Sequence, residues 1–172
     1  MYSPGDKVVH PGYGPGVILS IEHRQMLGEE KQYYIIEMLS GGGTLMTPVA
    51  NADAIGLRPA ITPVRVDNLF QLLSETPGAL SEDFRERQLD IEERLKTGDI
   101  FVTAKVIRDL TWYGQVQGLT KRDAQLVQRA EELVAMELAL IRDIEIAEAA
   151  EQLQSVVAEA MSSHAEVSSN TD

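Results

Sequence analysis

Residues 6–22 read DKVVHPGYGPGVILSIE, and within them residues 11–16, PGYGPG, hold only glycine, proline and one tyrosine. Glycine reaches positive φ and proline fixes φ, so such a run punctuates strands tightly. A phosphate cradle would need the Walker spacing with its lysine, or a GxGxxG opening a helix. Neither is present, and the next residues, VILSIE, read as strand. The run is therefore a sharp turn between two strands of a small sheet. DKVVHP leads into it, and GVILSIEHR leaves it with Val17, Leu19 and Ile21 at period two.

The strand pattern continues outward. A turn-like LGEE (27–30) leads to KQYYIIEML, where Tyr34, Ile36 and Met38 share a face. SGGG (40–43) signals a hairpin into TLMTPV, and AIGLR (54–58) supplies a last short piece to close the sheet. Strands this short predict a small SH3-like or Tudor-like barrel, since closure removes exposed edges.

Beyond Pro63 the period changes to that of a helix. Val66, Leu69, Phe70 and Leu73 form one stripe, and TPGAL (76–80) breaks it. Ser81 is the N-cap expected for the next helix, with Glu82 and Asp83 at its positive end. Lys96 ends that helix at the Thr97-Gly98 stop, and Asp99 caps a third with Ile100, Ala104, Ile107 and Leu110 inward. Thr120 and Asp123 have capping-box spacing, with Leu119 and Ala124 placed as a hydrophobic staple. Val127, Ala130, Val134, Leu138 and Ile141 follow as a long stripe, and Ile146, Leu153, Val157 and Ala160 mark a fifth helix. SSHAEVSSNTD (162–172) is polar and aperiodic. The fold class is α+β in two domains. An N-terminal SH3-like/Tudor-like small β-barrel spans 1–60, a C-terminal all-α bundle of about five helices spans 61–161, and 162–172 is a flexible tail.

Composition narrows the function. With no cysteine among 172 residues there is no disulfide, thiolate metal site or cysteine nucleophile. The chain shows no 18-residue apolar run, and MYSPGDK lacks the basic and apolar regions of a secretory signal, which points to the cytoplasm. His10, His23 and His164 fall at no metal-ligand spacing and are read as structural or solvated. No serine lies in GxSxG, and the carboxylates are spread over helix faces, so no enzyme, cofactor or metal is expected. The net charge of −12 divides as −2, −3 and −7 over 1–60, 61–120 and 121–172. That balance argues against strong non-specific nucleic-acid binding, which is mainly phosphate neutralisation.

Taken together, PGDKVVHPGYGPGVI, YYIIEM and LMTPVANADAIGLRPA resemble the CarD (CdnL) family of bacterial RNA-polymerase-binding transcription regulators. LKTGDIFVTAKVIRDL and GLTKRDAQLVQRAEELVAMELAL are similar to its C-terminal domain, and the likeness covers roughly 3–145. The barrel half also occurs in transcription–repair coupling factors, but those are large helicases, and this chain has no Walker motif. The resemblance implies a barrel docked on the β-subunit lobe of RNA polymerase. It also implies a helical domain at the upstream edge of the melted −10 region, where an aromatic side chain wedges into the minor groove and stabilises the open complex.

Carried over by position, the resemblance assigns Arg24 and Met46, with Pro48 beside it, to polymerase binding and Phe84 to DNA; Arg85, Arg87, Arg94 and Lys96, on the same helix as Phe84, are the candidate phosphate contacts. Met46 stands where some members have arginine, and Phe84 where the family has its wedge tryptophan. The residues alone leave alternatives: Arg24 as an exposed strand residue, Met46 as barrel core, Phe84 as the first core residue of its helix. Trp112 is off the wedge position and reads as core or a cover at the bundle end. The four cations share their helix with Glu82, Asp83, Glu86, Asp90, Glu92 and Glu93. DNA contact is thus expected to be weak, independent of sequence, and effective mainly when the protein is tethered to polymerase. No membrane or small-molecule substrate is expected. The competing reading is a polymerase-bound interaction module whose acidic helices leave DNA alone.

Overall fold

The PGYGPG run is the corner at which the sheet turns back and meets the helices. The computed structural model describes residues 1–26 and 28–170, Met26 through its backbone only. Leu27 of the expected LGEE turn and residues 171–172 of the expected tail lie outside the described residues. Strands β1 (Lys7–His10) and β2 (Gly14–Met26) pair antiparallel around the corner, His10 opposite Gly14. Gly14 takes φ 85°, a backbone region that favours glycine. Gly16 is needed for close approach: a Cβ there would lie 2.5 Å from the Glu37 carbonyl oxygen.

Strand β2 continues into a long hairpin with β3 (Glu29–Met38), and β3 pairs with β4 (Thr44–Pro48). A 3₁₀ turn (Val49–Asn51) and a short α1 (Ala52–Ile55) then lead to β5 (Arg58–Pro59), which returns to pair with β1. The ladder runs β4-β3-β2-β1-β5, antiparallel throughout. Tyr34, Ile36 and Met38 do share its inner face, packed with Val8, Ile18, Ala52 and Leu57. The helical segment between β4 and β5 thus lays Ala52 and Leu57 into the core.

The expected Val17/Leu19/Ile21 face is not what forms. The β2–β3 register shifts between Ile18 and Ser20, leaving Leu19 as the extra residue of a bulge. Ile18 is buried opposite Ile36, Ile21 lies opposite Tyr34, and Leu19 is 46% exposed. One inserted residue exchanges the two faces of a strand, which period-two counting cannot foresee.

Helices α2 (Pro63–Ser74), α3 (Phe84–Lys96), α4 (Ile100–Gln117), α5 (Lys121–Arg142) and α6 (Ile146–Ser169) build the second core. Leu69, Leu73, Ile91, Ile107, Leu110, Leu138 and Leu153 fill its centre. Asp99 caps α4, and Thr120 with Asp123 forms the capping box of α5, both as the sequence predicts. Two expectations change, at the N-cap of α3 and in the tail. The N-cap of α3 is Asp83, whose carboxylate accepts from the amides of Arg85 (2.8 Å) and Glu86 (3.1 Å); Ser81 stands before the cap and accepts from the Asp83 amide. Leu119 lies against Gly114, where a Cβ would come within 2.8 Å of its Cγ. The tail is helical through Ser169, and His164 packs edge-on against Trp112 at 5.7 Å between ring centroids. That ring contact gives a polar stretch an anchor which its composition does not show.

Sheet and bundle are joined by one buried carboxylate. Glu137 of α5, 2% exposed, accepts from both terminal nitrogens of Arg58 on β5 (2.9 and 2.7 Å) and from the Ile61 amide (2.9 Å). Arg58 Nε donates to the Gly98 carbonyl at 2.7 Å, and Lys7 pairs with Asp143 at 2.7 Å nearby. Glu137→Ala leaves the Arg58 fork and a buried amide without their acceptor. Removing one partner of a buried pair costs about 3 kcal/mol, to be read as a lower urea midpoint with an unchanged slope. A loss of under about 1 kcal/mol would show that the junction does not depend on this carboxylate.

Candidate functional site

Two surfaces collect the residues singled out from sequence. Directly opposed residues of an antiparallel pair project to the same side. Because Tyr34, Ile36 and Met38 face inward, Lys31, Tyr33, Ile35 and Glu37 belong to the outer side of β3. Arg24 pairs with Lys31, Met46 with Ile35, and Pro48 with Tyr33. Arg24, Met46 and Pro48 therefore share the outer face of the sheet.

Met46 is 43% exposed and is not barrel core. With Ile35 and Pro48 it makes the apolar centre of that face. Arg24 lies about 13 Å farther along the strands, four residues of extended chain. It donates through Nε and Nη2 to Glu22 on the same strand. The face thus presents an apolar strip with an ion pair at one end, suited to packing against another protein surface.

The second surface is the N-terminal tip of α3. Phe84 is its first residue and is 49% exposed, so it is not the first core residue of the helix. Arg87 and Ile91 are the buried positions of α3; Phe84, three and seven residues before them, falls on the same stripe and is nonetheless half-exposed at the first position of the helix. The Arg85 guanidinium lies 5.5 Å from the Phe84 ring centroid. An exposed aromatic ring and an exposed cation thus occupy one helix tip.

The remaining cations separate. Lys96 is exposed at the far end of α3, about 16 Å from Arg85 along the axis. Arg94 bridges Asp90 (2.8 Å) and Asp109 (3.3 Å), and Asp109 also receives Arg108 Nε and the Gly78 amide, each at 2.8 Å. Arg87 is 3% exposed and lies over the Tyr113 ring at 4.4 Å. Its donors reach Asp123 (2.8 and 3.3 Å), the carbonyls of Ser81 (2.8 Å) and Glu82 (3.2 Å), and the Tyr113 hydroxyl (3.1 Å). The expectation that Arg87 offers a phosphate contact is corrected, because its guanidinium is buried inside the bundle; Arg94 keeps 30% of its side chain exposed while paired with Asp90 and Asp109. The spacing of Arg87 to Ile91, four residues apart on one stripe, carried that signal.

Asp123 is fully buried. Burial by itself raises its carboxyl pKa; bonds from Arg87, Thr120 and Gln88 override that and hold it at about 2. Among the described residues no group of His, Cys, Asp and Glu could hold a metal ion, and no helix is long and apolar enough to cross a membrane.

Residues 2–61 match the family model described as the CarD-like/TRCF RID domain, and residues 68–154 match the CarD C-terminal domain. The Bacillus subtilis (strain 168) protein named "Putative transcription factor YdeB" is 27% identical over 144 residues, 84% of this chain and 94% of that one. A solved structure titled CdnLNt, from Myxococcus xanthus, is 34% identical over 36% of this chain and 86% of that chain, with a TM-score of 0.31.

The ion pair beneath the α3 tip has a pH signature. The folded carboxyl of Asp123 titrates at about 2 against an ordinary 3.8, so its contribution is complete above pH 3.8 and is lost as pH falls through about 2. That drop corresponds to about 2 kcal/mol. Urea unfolding of the parent and Asp123→Asn should differ most at neutral pH and converge toward pH 2. A gap that stays constant across that range would show that the carboxylate charge is not what matters.

Proposed function

The chain belongs to the CarD family of transcription regulators, and from that membership we propose that it acts at initiation, docked on the β-subunit lobe of RNA polymerase. The outer sheet face with Arg24, Met46 and Pro48 is the docking surface. The α3 tip meets promoter DNA at the upstream edge of the −10 bubble, where the Phe84 ring enters the minor groove and slows bubble closure. Arg85 and Lys96 supply the phosphate contacts, supported by Arg94 where it is exposed. The observation that carries this reading is Phe84 itself, half-exposed at a helix tip with a cation over its ring.

Two phosphate contacts give a salt slope of only about −1.8 in log K against log salt, so naked DNA is bound weakly. On polymerase the same contacts act at high effective concentration. A second reading has support in the −7 charge of residues 121–172: docking occurs, and the helices exclude or recruit another protein.

The test is the lifetime of a promoter open complex with the cognate polymerase. The protein should lengthen it, and Phe84→Ala should remove most of that gain, about tenfold or 1.4 kcal/mol. Met46→Glu should abolish polymerase binding, because a charge would be desolvated on an apolar contact. Normal polymerase binding with no change in lifetime would favour the second reading. Normal binding by Met46→Glu would remove the docking assignment.

A further inference from the structure

Residues 82–86, at the tip of α3, are exposed, so the packed core does not by itself fix where Phe84 points. One side chain reaches all the elements that border this tip. Arg87 Nη1 donates to the carbonyls of Ser81 and Glu82, the two peptide groups immediately before the Asp83 cap. The same nitrogen donates to the Tyr113 hydroxyl near the end of α4, and the guanidinium plane lies over that ring. Nε and Nη2 grip Asp123 in the first turn of α5. Asp123 is held in turn by the Thr120 amide (3.0 Å), the Thr120 hydroxyl (2.8 Å) and Gln88 (3.3 Å). The entry to α3, the end of α4 and the start of α5 therefore converge on one planar fork.

We propose that Arg87 is a positioning residue for Phe84: its guanidinium fixes the backbone entering α3 and so sets the direction in which the ring projects toward DNA. This rests on the wedge reading above and adds the device that aims the wedge. Burial at 3% exposure keeps Arg87 away from phosphate, so any effect on DNA is indirect, and the backbone it holds is the one that leads into Phe84. Lysine cannot substitute. It is a point charge with three donors and no plane, and cannot bind two carbonyls, a carboxylate and a ring face together. Arg87→Lys keeps the charge and removes the fork.

The experiment is a double-variant cycle on full-length protein with cognate polymerase and a promoter, run well below the melting temperature of every variant. Arg87→Lys should shorten the open-complex lifetime about tenfold, toward the Phe84→Ala value. Added to Phe84→Ala, it should shorten the lifetime no further. The salt slope of the lifetime should be unchanged in Arg87→Lys, whereas Arg85→Ala should lower it by about 0.9. NMR order parameters of the amides at 82–85 should fall in Arg87→Lys. If Arg87→Lys fails to fold, Tyr113→Phe removes one acceptor and should shift lifetime and order parameters in the same direction. Further shortening in the Phe84→Ala background, a lowered slope in Arg87→Lys, or unchanged order at 82–85 would each overturn the positioning role. A lifetime indifferent to Phe84→Ala would overturn the wedge itself, and the aiming role with it.

Discussion

Glu137 ties the two halves of the molecule into one frame. Its two carboxylate oxygens receive three hydrogen bonds from Arg58 and Ile61, at the seam where the last strand gives way to the helices. A buried charge pair adds little net stability over apolar packing, but it tolerates few alternative geometries. The corner residues at Gly14 come beside Met136, one residue before Glu137 on α5; a Cβ on Gly14 would lie 3.9 Å from Met136 Cε. The outer sheet face and the α3 tip are then surfaces of one body. A protein held on polymerase by the first would present the second in a set place.

The arrangement of positive charge follows the same logic. The chain carries 15 lysines and arginines against 27 acidic residues, and four of those arginines hold carboxylates inside the fold. Arg58 joins the domains, Arg87 braces the α3 entry, and Arg94 and Arg108 converge on Asp109. Few cations are left facing solvent on α3. A protein built in this way gains little from the phosphate backbone alone, so the proposed action on DNA depends on placement, with proximity supplied by the proposed docking on polymerase.

Much of this was legible in the sequence, for identifiable reasons. Helical periodicity identified the inward residues of α2, α4, α5 and α6, because packing one face is what stabilises such helices. The capping chemistry of Asp99, Thr120 and Asp123 is local and could be read directly. What escaped depends on distant partners. Period-two counting puts Leu19 on one face with Val17 and Ile21, because one bulged residue is invisible to it. Its place on the Phe84 helix puts Arg87 among the phosphate candidates, although its stripe with Ile91 points inward; the partner that makes its burial tolerable, Asp123, lies 36 positions away. His164 reads as part of a tail, since nothing local announces its ring contact with Trp112.

Docking can aim the Phe84 tip only if the sheet and the bundle move as one body. Residual dipolar couplings of the backbone amides in weakly aligned solution measure this directly. Couplings from residues 1–60 and from residues 61–161 should fit a single alignment tensor, and the fit should split in two for Glu137→Ala. Two different tensors in the unaltered protein would contradict the single frame, because a sheet face docked on polymerase would then leave the Phe84 tip without a fixed address.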